Sequence, residues 1–142
     1  MSCRNAPLIL GLRAIAVPLA AGNTVLLKGS ELCPKTFWLL GDIFREAGLP
    51  QGCLDVIYHQ PSDAADITTA LIAHPAIKKI NFTGSTHVGS IIAAMAGKYI
   101  KPVLLELGGK CSCIVLDDAD LNKAAAGSVL GAFVQVSMNT AG

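Results

Sequence analysis

Three short clusters carry side chains suited to chemistry. Lys28-Gly29-Ser30-Glu31 sets an ammonium and a carboxylate three residues apart. At a strand end the pair could bracket a ribose, the carboxylate accepting from two hydroxyls. A solvated loop with a surface ion pair would use the same residues. In Phe82-Thr83-Gly84-Ser85-Thr86, Gly84 allows close backbone approach and Ser85 can donate to an anion. A helix starting there would add free N–H groups and a positive dipole end, which makes a seat for a pyrophosphate. Ser85 equally suits an ordinary helix N-cap. Glu106-Leu107-Gly108-Gly109-Lys110 puts a carboxylate before two glycines. Glu106 could serve as a general base or remain a solvated acid beside a turn. The chain has no Gly-x-Gly-x-x-Gly fingerprint.

These clusters need elements to hold them. Residues 24–27 read as a buried strand, and a helix starts near Pro34. Phe37, Leu40, Phe44 and Ala47 give that helix one apolar face, and Gly48 stops it. Residues 54–58 read as the next strand. Ser62 can cap a helix through Ala73, ended by Pro75. Residues 79–83 form a third strand, and Val88, Ile91, Ile92 and Met95 mark a helix after it. Pro102 opens a strand to Leu107, residues 113–116 form another, and a last helix runs from about Asp120 to about Phe133. Alternating strands and helices predict an α/β fold, a doubly wound parallel sheet with helices on both faces. Ligands of such sheets sit at the carboxyl ends of the strands, where all three clusters fall.

Composition narrows the classes. The 142 residues suffice for one domain core. Eleven Lys and Arg against ten Asp and Glu give a net charge of +1, too little to hold a nucleic acid. Only 15% of residues are charged and 52% are hydrophobic, which excludes disorder and suggests a subunit or a piece of something larger. The apolar stretch from Ala6 to Ala21 is interrupted by Arg13, so neither a membrane span nor a secretory signal is expected. Five cysteines, an odd count, make a poor disulfide framework. Cys111 and Cys113 lack zinc-knuckle spacing, and His59, His74 and His87 are scattered singly. No metal site is expected, and a reducing cytoplasm fits.

Taken together, the chain resembles the NAD(P)-dependent aldehyde dehydrogenase superfamily, of the salicylaldehyde or vanillin dehydrogenase type. The resemblance runs through Asn5-Ala6-Pro7, Ala21-Gly22-Asn23-Thr24, the three clusters above, and Val88-Gly89. It covers roughly residues 5 to 133 and implies a partial, Rossmann-like cofactor-binding domain over residues 1–142, with 134–142 a divergent tail. By resemblance, Asn5 would donate to an oxyanion, and Lys28 and Glu31 would hold the adenosine ribose. Glu31 would favour NAD over NADP by repelling a 2′-phosphate. Ser85 would touch the pyrophosphate, and Phe82, Thr83, Gly84 and Val88 would line the cofactor path. Glu106 would activate the hydrolytic water, with Leu107 and Gly108 near the nicotinamide. The implied substrate is an aldehyde, and the implied partner a second copy or a full-length paralogue.

The sequence departs from the family at the nucleophile. Gln135-Val136-Ser137-Met138 resembles the Gly-Gln-x-Cys element, with Ser137 at the cysteine's place and about three residues fewer after Glu106. Alternatively, Asn139-Thr140-Ala141-Gly142 begins that element, or the tail is unrelated to it. An alcohol is a poor substitute for a thiolate. Arg4 and Ser112 replace a usual Trp and Pro, and Ala64 and Thr68 replace frequent glycines. Three functions follow as alternatives: an aldehyde dehydrogenase portion inactive alone, a non-catalytic NAD-binding or subunit-pairing module, and a truncated product without a stable fold.

Overall fold

The computed structural model describes residues 6–110 and 112–133. Asn5, Cys111 and Ser137 lie outside the described residues. The chain begins with a helix, α1 (Pro7–Ala20), and then alternates. Strand β1 (Val25–Lys28) leads through α2 (Pro34–Glu46) to β2 (Leu54–Ile57). A 3-10 turn at Pro61–Asp63 and α3 (Ala64–Ala73) lead to β3 (Ile80–Gly84). Helix α4 (Thr86–Lys98) then connects to β4 (Val103–Leu107), and α5 (Leu121–Phe133) follows.

All strand pairing is parallel, as the alternating pattern requires. The strands form two pairs, β1 on β2 and β3 on β4, with no ladder joining the pairs among the described residues. Each pair has its own core. Ile15 of α1, Leu27 of β1, and Phe37 and Leu40 of α2 form one. Ile72 of α3, Ile80 and Phe82 of β3, and Ile92 and Ala96 of α4 form the other. Gly11 explains how α1 and α2 come so close, since a Cβ there would lie 2.7 Å from a methyl of Leu40.

Two local expectations change, and one element appears that was not expected. Ser62 does not cap α3: it lies in the 3-10 turn and its hydroxyl donates to Asp63 Oδ1 at 2.7 Å. Pro61 fixes its own φ and favours that tighter turn ahead of the helix. Residues 113–116 form no strand. β-branched and aliphatic residues there have the right composition, but a strand also needs an edge to pair with, and Ile114 is 83% exposed. Conversely, the stretch around Arg13 is a helix, although Pro18 lies inside it. The last helix begins as expected, with Asp120 Oδ1 accepting from the amides of Asn122 and Lys123.

Separate cores predict separable losses. Phe37 is 0% exposed, and Phe37→Ala should cost about 3–5 kcal/mol. Amide hydrogen exchange should accelerate in α1, α2, β1 and β2 and stay near the wild-type rate in β3 and β4.

Candidate functional site at the carboxyl ends of the strands

Parallel register brings two of the three clusters together. Thr83 is paired with Glu106, and Gly84 with Leu107. The Gly84–Ser85 turn and the carboxylate therefore leave neighbouring strands at the same level. Ser85 is the N-cap of α4, its hydroxyl accepting from Val88 N at 3.3 Å. The capping reading is thus correct, and the hydroxyl proton remains available to an anion. No acidic residue occupies the first turn of α4, so no side chain of the helix itself offsets the positive end of its dipole. Gly108 follows directly on β4, and Glu106 is exposed.

Gly84 has a packing role. A Cβ built on it would lie 2.5 Å from Cζ of Phe82. Phe82 itself is a core side chain whose ring packs against this turn. Val88 is exposed on the first turn of α4.

Lys28 and Glu31 stand at the carboxyl end of the other pair. Lys28 is the last residue of β1, half-buried, and Glu31 lies three residues beyond. Partial desolvation holds the Lys28 ammonium below its ordinary value of 10.5, and the nearby Glu31 carboxylate pulls it back upward. No hydrogen bond or ion pair links this group to Ser85 or Glu106 among the described residues. The two groups share an end of parallel strands, not a contact. Two clefts of about 480 Å³ each lie elsewhere, one between β1 and β3 and one beside α2 and β2. Lys28 lines the first; Glu31, Ser85 and Glu106 line neither.

The start of α4 has the donors that an anion needs: backbone N–H groups at the helix N-terminus and the Ser85 hydroxyl. Sequence reasoning took His59, two residues past β2, only as a singly placed histidine. Its Nδ1 donates to Gln60 O at 2.7 Å, and its Nε2 is buried without a partner. The sole available signal was its place after a strand. Among the described residues no cluster could hold a metal ion, and no helix is long and apolar enough to cross a membrane.

A profile of the aldehyde dehydrogenase family matches residues 3–137. The chain belongs to the aldehyde dehydrogenase family. It is 52% identical over 139 residues to a vanillin dehydrogenase of Pseudomonas fluorescens, a match covering 96% of this chain and 29% of that protein. The crystal structure of a salicylaldehyde dehydrogenase from Pseudomonas putida G7, complexed with salicylaldehyde, superposes with a TM-score of 0.84 at 51% identity. That match covers 92% of this chain and 27% of the other. An NAD-dependent benzaldehyde dehydrogenase from Corynebacterium glutamicum gives a TM-score of 0.80 at 38% identity, covering 92% and 28%. The chain thus spans under a third of the length of these aldehyde dehydrogenases.

Two outcomes test the site. Gly84→Ala should cost about 1–3 kcal/mol by overpacking against the buried Phe82 ring, read from denaturant midpoints. The lowered Lys28 means that the unfolded chain holds this proton more tightly than the folded one. Its charge penalty is therefore present at neutral pH and relieved as pH rises toward 10.5. Tyr58, pushed above 10.0 by partial burial, acts in the opposite sense. Subtracting the profile of Lys28→Met cancels Tyr58, and the difference should show wild type gaining stability with alkaline pH.

Proposed function

We infer that this chain is the cofactor-holding part of an enzyme that oxidises an aromatic aldehyde to its acid with NAD. The pairing of Thr83 with Glu106 carries the reading, because it sets an anion-suited turn and a carboxylate at one level of one sheet end. Similarity to vanillin and salicylaldehyde dehydrogenases supports an aromatic aldehyde as the substrate class. A cytoplasmic location agrees with the free thiols of Cys53 and Cys113.

Each residue has a defined task. The α4 N-terminus and Ser85 hold the pyrophosphate through N–H and O–H donors. Lys28 and Glu31 hold the ribose, and the Glu31 charge disfavours a 2′-phosphate. NAD, when bound, supplies the hydride acceptor. Gly108 and Leu107 border the nicotinamide. Asn5 donates its amide to the carbonyl oxygen as negative charge develops there. Glu106 takes a proton from the water that cleaves the acyl intermediate.

The nucleophile separates two versions of this role. Ser137 in Gln135-Val136-Ser137-Met138 favours a chain that binds NAD without turning over, alone or beside a full-length subunit. Both versions require NAD binding. Calorimetric titration of the 142-residue chain should show saturable NAD binding, weaker for NADP. Glu31→Gln should narrow that preference by about tenfold, the loss of one close charge repulsion. Absence of saturable NAD binding would defeat the reading. Salicylaldehyde with NAD should give no NADH from this chain alone.

A further inference from the structure

Among the eight lysines of the chain, Lys28 stands apart. Lys35, Lys78, Lys79, Lys98, Lys110 and Lys123 are exposed. Lys101 is half-buried, but its ammonium donates to His74 O at 2.6 Å, a bond that favours the protonated form. Lys28 is half-buried without such a bond: among the described residues no hydrogen bond or ion pair engages its nitrogen. Partial desolvation leaves more of this amine unprotonated than an exposed lysine keeps at the same pH, and the Glu31 carboxylate restores the charge only in part. An unprotonated lysine amine is a nucleophile toward a carbonyl carbon.

The surroundings suit an aromatic carbonyl compound. Side chains alternate along a strand, so Lys28 shares its face of the sheet with Leu26, two residues before it. Ile57, its register partner on β2, lies on the same face. Both are apolar and neither is fully buried, so a ring attached to the Lys28 nitrogen has hydrocarbon beside it. As the last residue of β1, Lys28 also stands at the strand end where ligands of parallel sheets sit.

We propose that Lys28 condenses reversibly with the aromatic aldehyde of the inferred reaction whenever the dinucleotide is absent. The amine nitrogen attacks the carbonyl carbon, the carbon–oxygen bond breaks, and the two amine hydrogens leave with that oxygen as water. The product is a neutral imine, and nothing is oxidised or reduced. An aldehyde with an ortho hydroxyl gains a further hydrogen bond, from its phenol O–H to the imine nitrogen. The imine removes the ammonium from the place assigned to the ribose, so aldehyde in excess over NAD opposes cofactor binding. This inference rests on the aldehyde and cofactor roles given above and is independent of the nucleophile.

The probe is salicylaldehyde, incubated with the full chain at mildly alkaline pH in sodium cyanoborohydride, which fixes imines as secondary amines. Peptide mass mapping should find Lys28 carrying the largest share of adduct among the eight lysines. Benzaldehyde, which lacks the ortho hydroxyl, should label it about fivefold less, the worth of one hydrogen bond. In denaturant the preference for Lys28 should vanish. Even labelling of the native chain would overturn the proposal, as would a preference that survives in denaturant. Excess NAD, in a parallel incubation, should erase the Lys28 adduct and leave the exposed lysines labelled. Selective labelling that NAD does not reduce would keep the imine and defeat the ribose assignment. Saturable NAD binding together with even labelling would do the reverse.

Discussion

The parallel pairing of β3 with β4 fixes what this chain can do. It sets Thr83 against Glu106 and Gly84 against Leu107, so a helix start and a carboxylate emerge side by side. A slip of one residue would send Glu106 to the opposite face of the sheet. The register is held by burial on one side: Ile80 and Phe82 pack against Ile92 and Ala96 of α4. Phe82 serves this purpose twice, filling the core and occupying the space a side chain at position 84 would need. Core packing and the shape of the anion-suited turn are thus one constraint.

That constraint does not reach Lys28 and Glu31. They belong to the other pair, whose core is built by α1 and α2. Within the described residues the two pairs share neither a ladder nor a core cluster. The relation between the ribose-suited and phosphate-suited groups therefore depends on what spans the gap between β1 and β3. Lys28, half-buried, closes β1 beside that gap.

Much of this was legible in the residues. Helices α2 and α4 announced themselves through apolar spacing, and β3 and β4 through short aliphatic runs bounded by turn residues. The site clusters were legible because parallel strands present their carboxyl ends together, a rule that needs only element order. Helix α1 was obscured because Gly11, Arg13 and Pro18 look like interruptions, while in the fold Gly11 is the point of closest approach to α2. Residues 113–116 misled for the opposite reason: strand composition cannot reveal whether a partner edge exists. Division of the sheet was invisible too, since strand order is a tertiary property that no local period encodes. Asn5 and Ser137, outside the described residues, remain assignments by family resemblance.

The unusual composition has a structural counterpart. Ile114, Leu116, Leu121, Leu130 and Phe133 are mostly exposed, and none of the residues of α5 is buried. A segment of this kind is stable only where something covers its apolar face. The apolar character read from the sequence is therefore not confined to the two cores, which are small. It extends to the exposed surface around β4, α5 and the residues between them. In relatives that are more than three times as long, the same residues have far more protein available to pack against them. Glu106 sits at the border of that uncovered surface, at the end of β4. The base role proposed for Glu106 requires bulk water to be excluded from one side, so the cover that would satisfy α5 would also supply the setting that role needs.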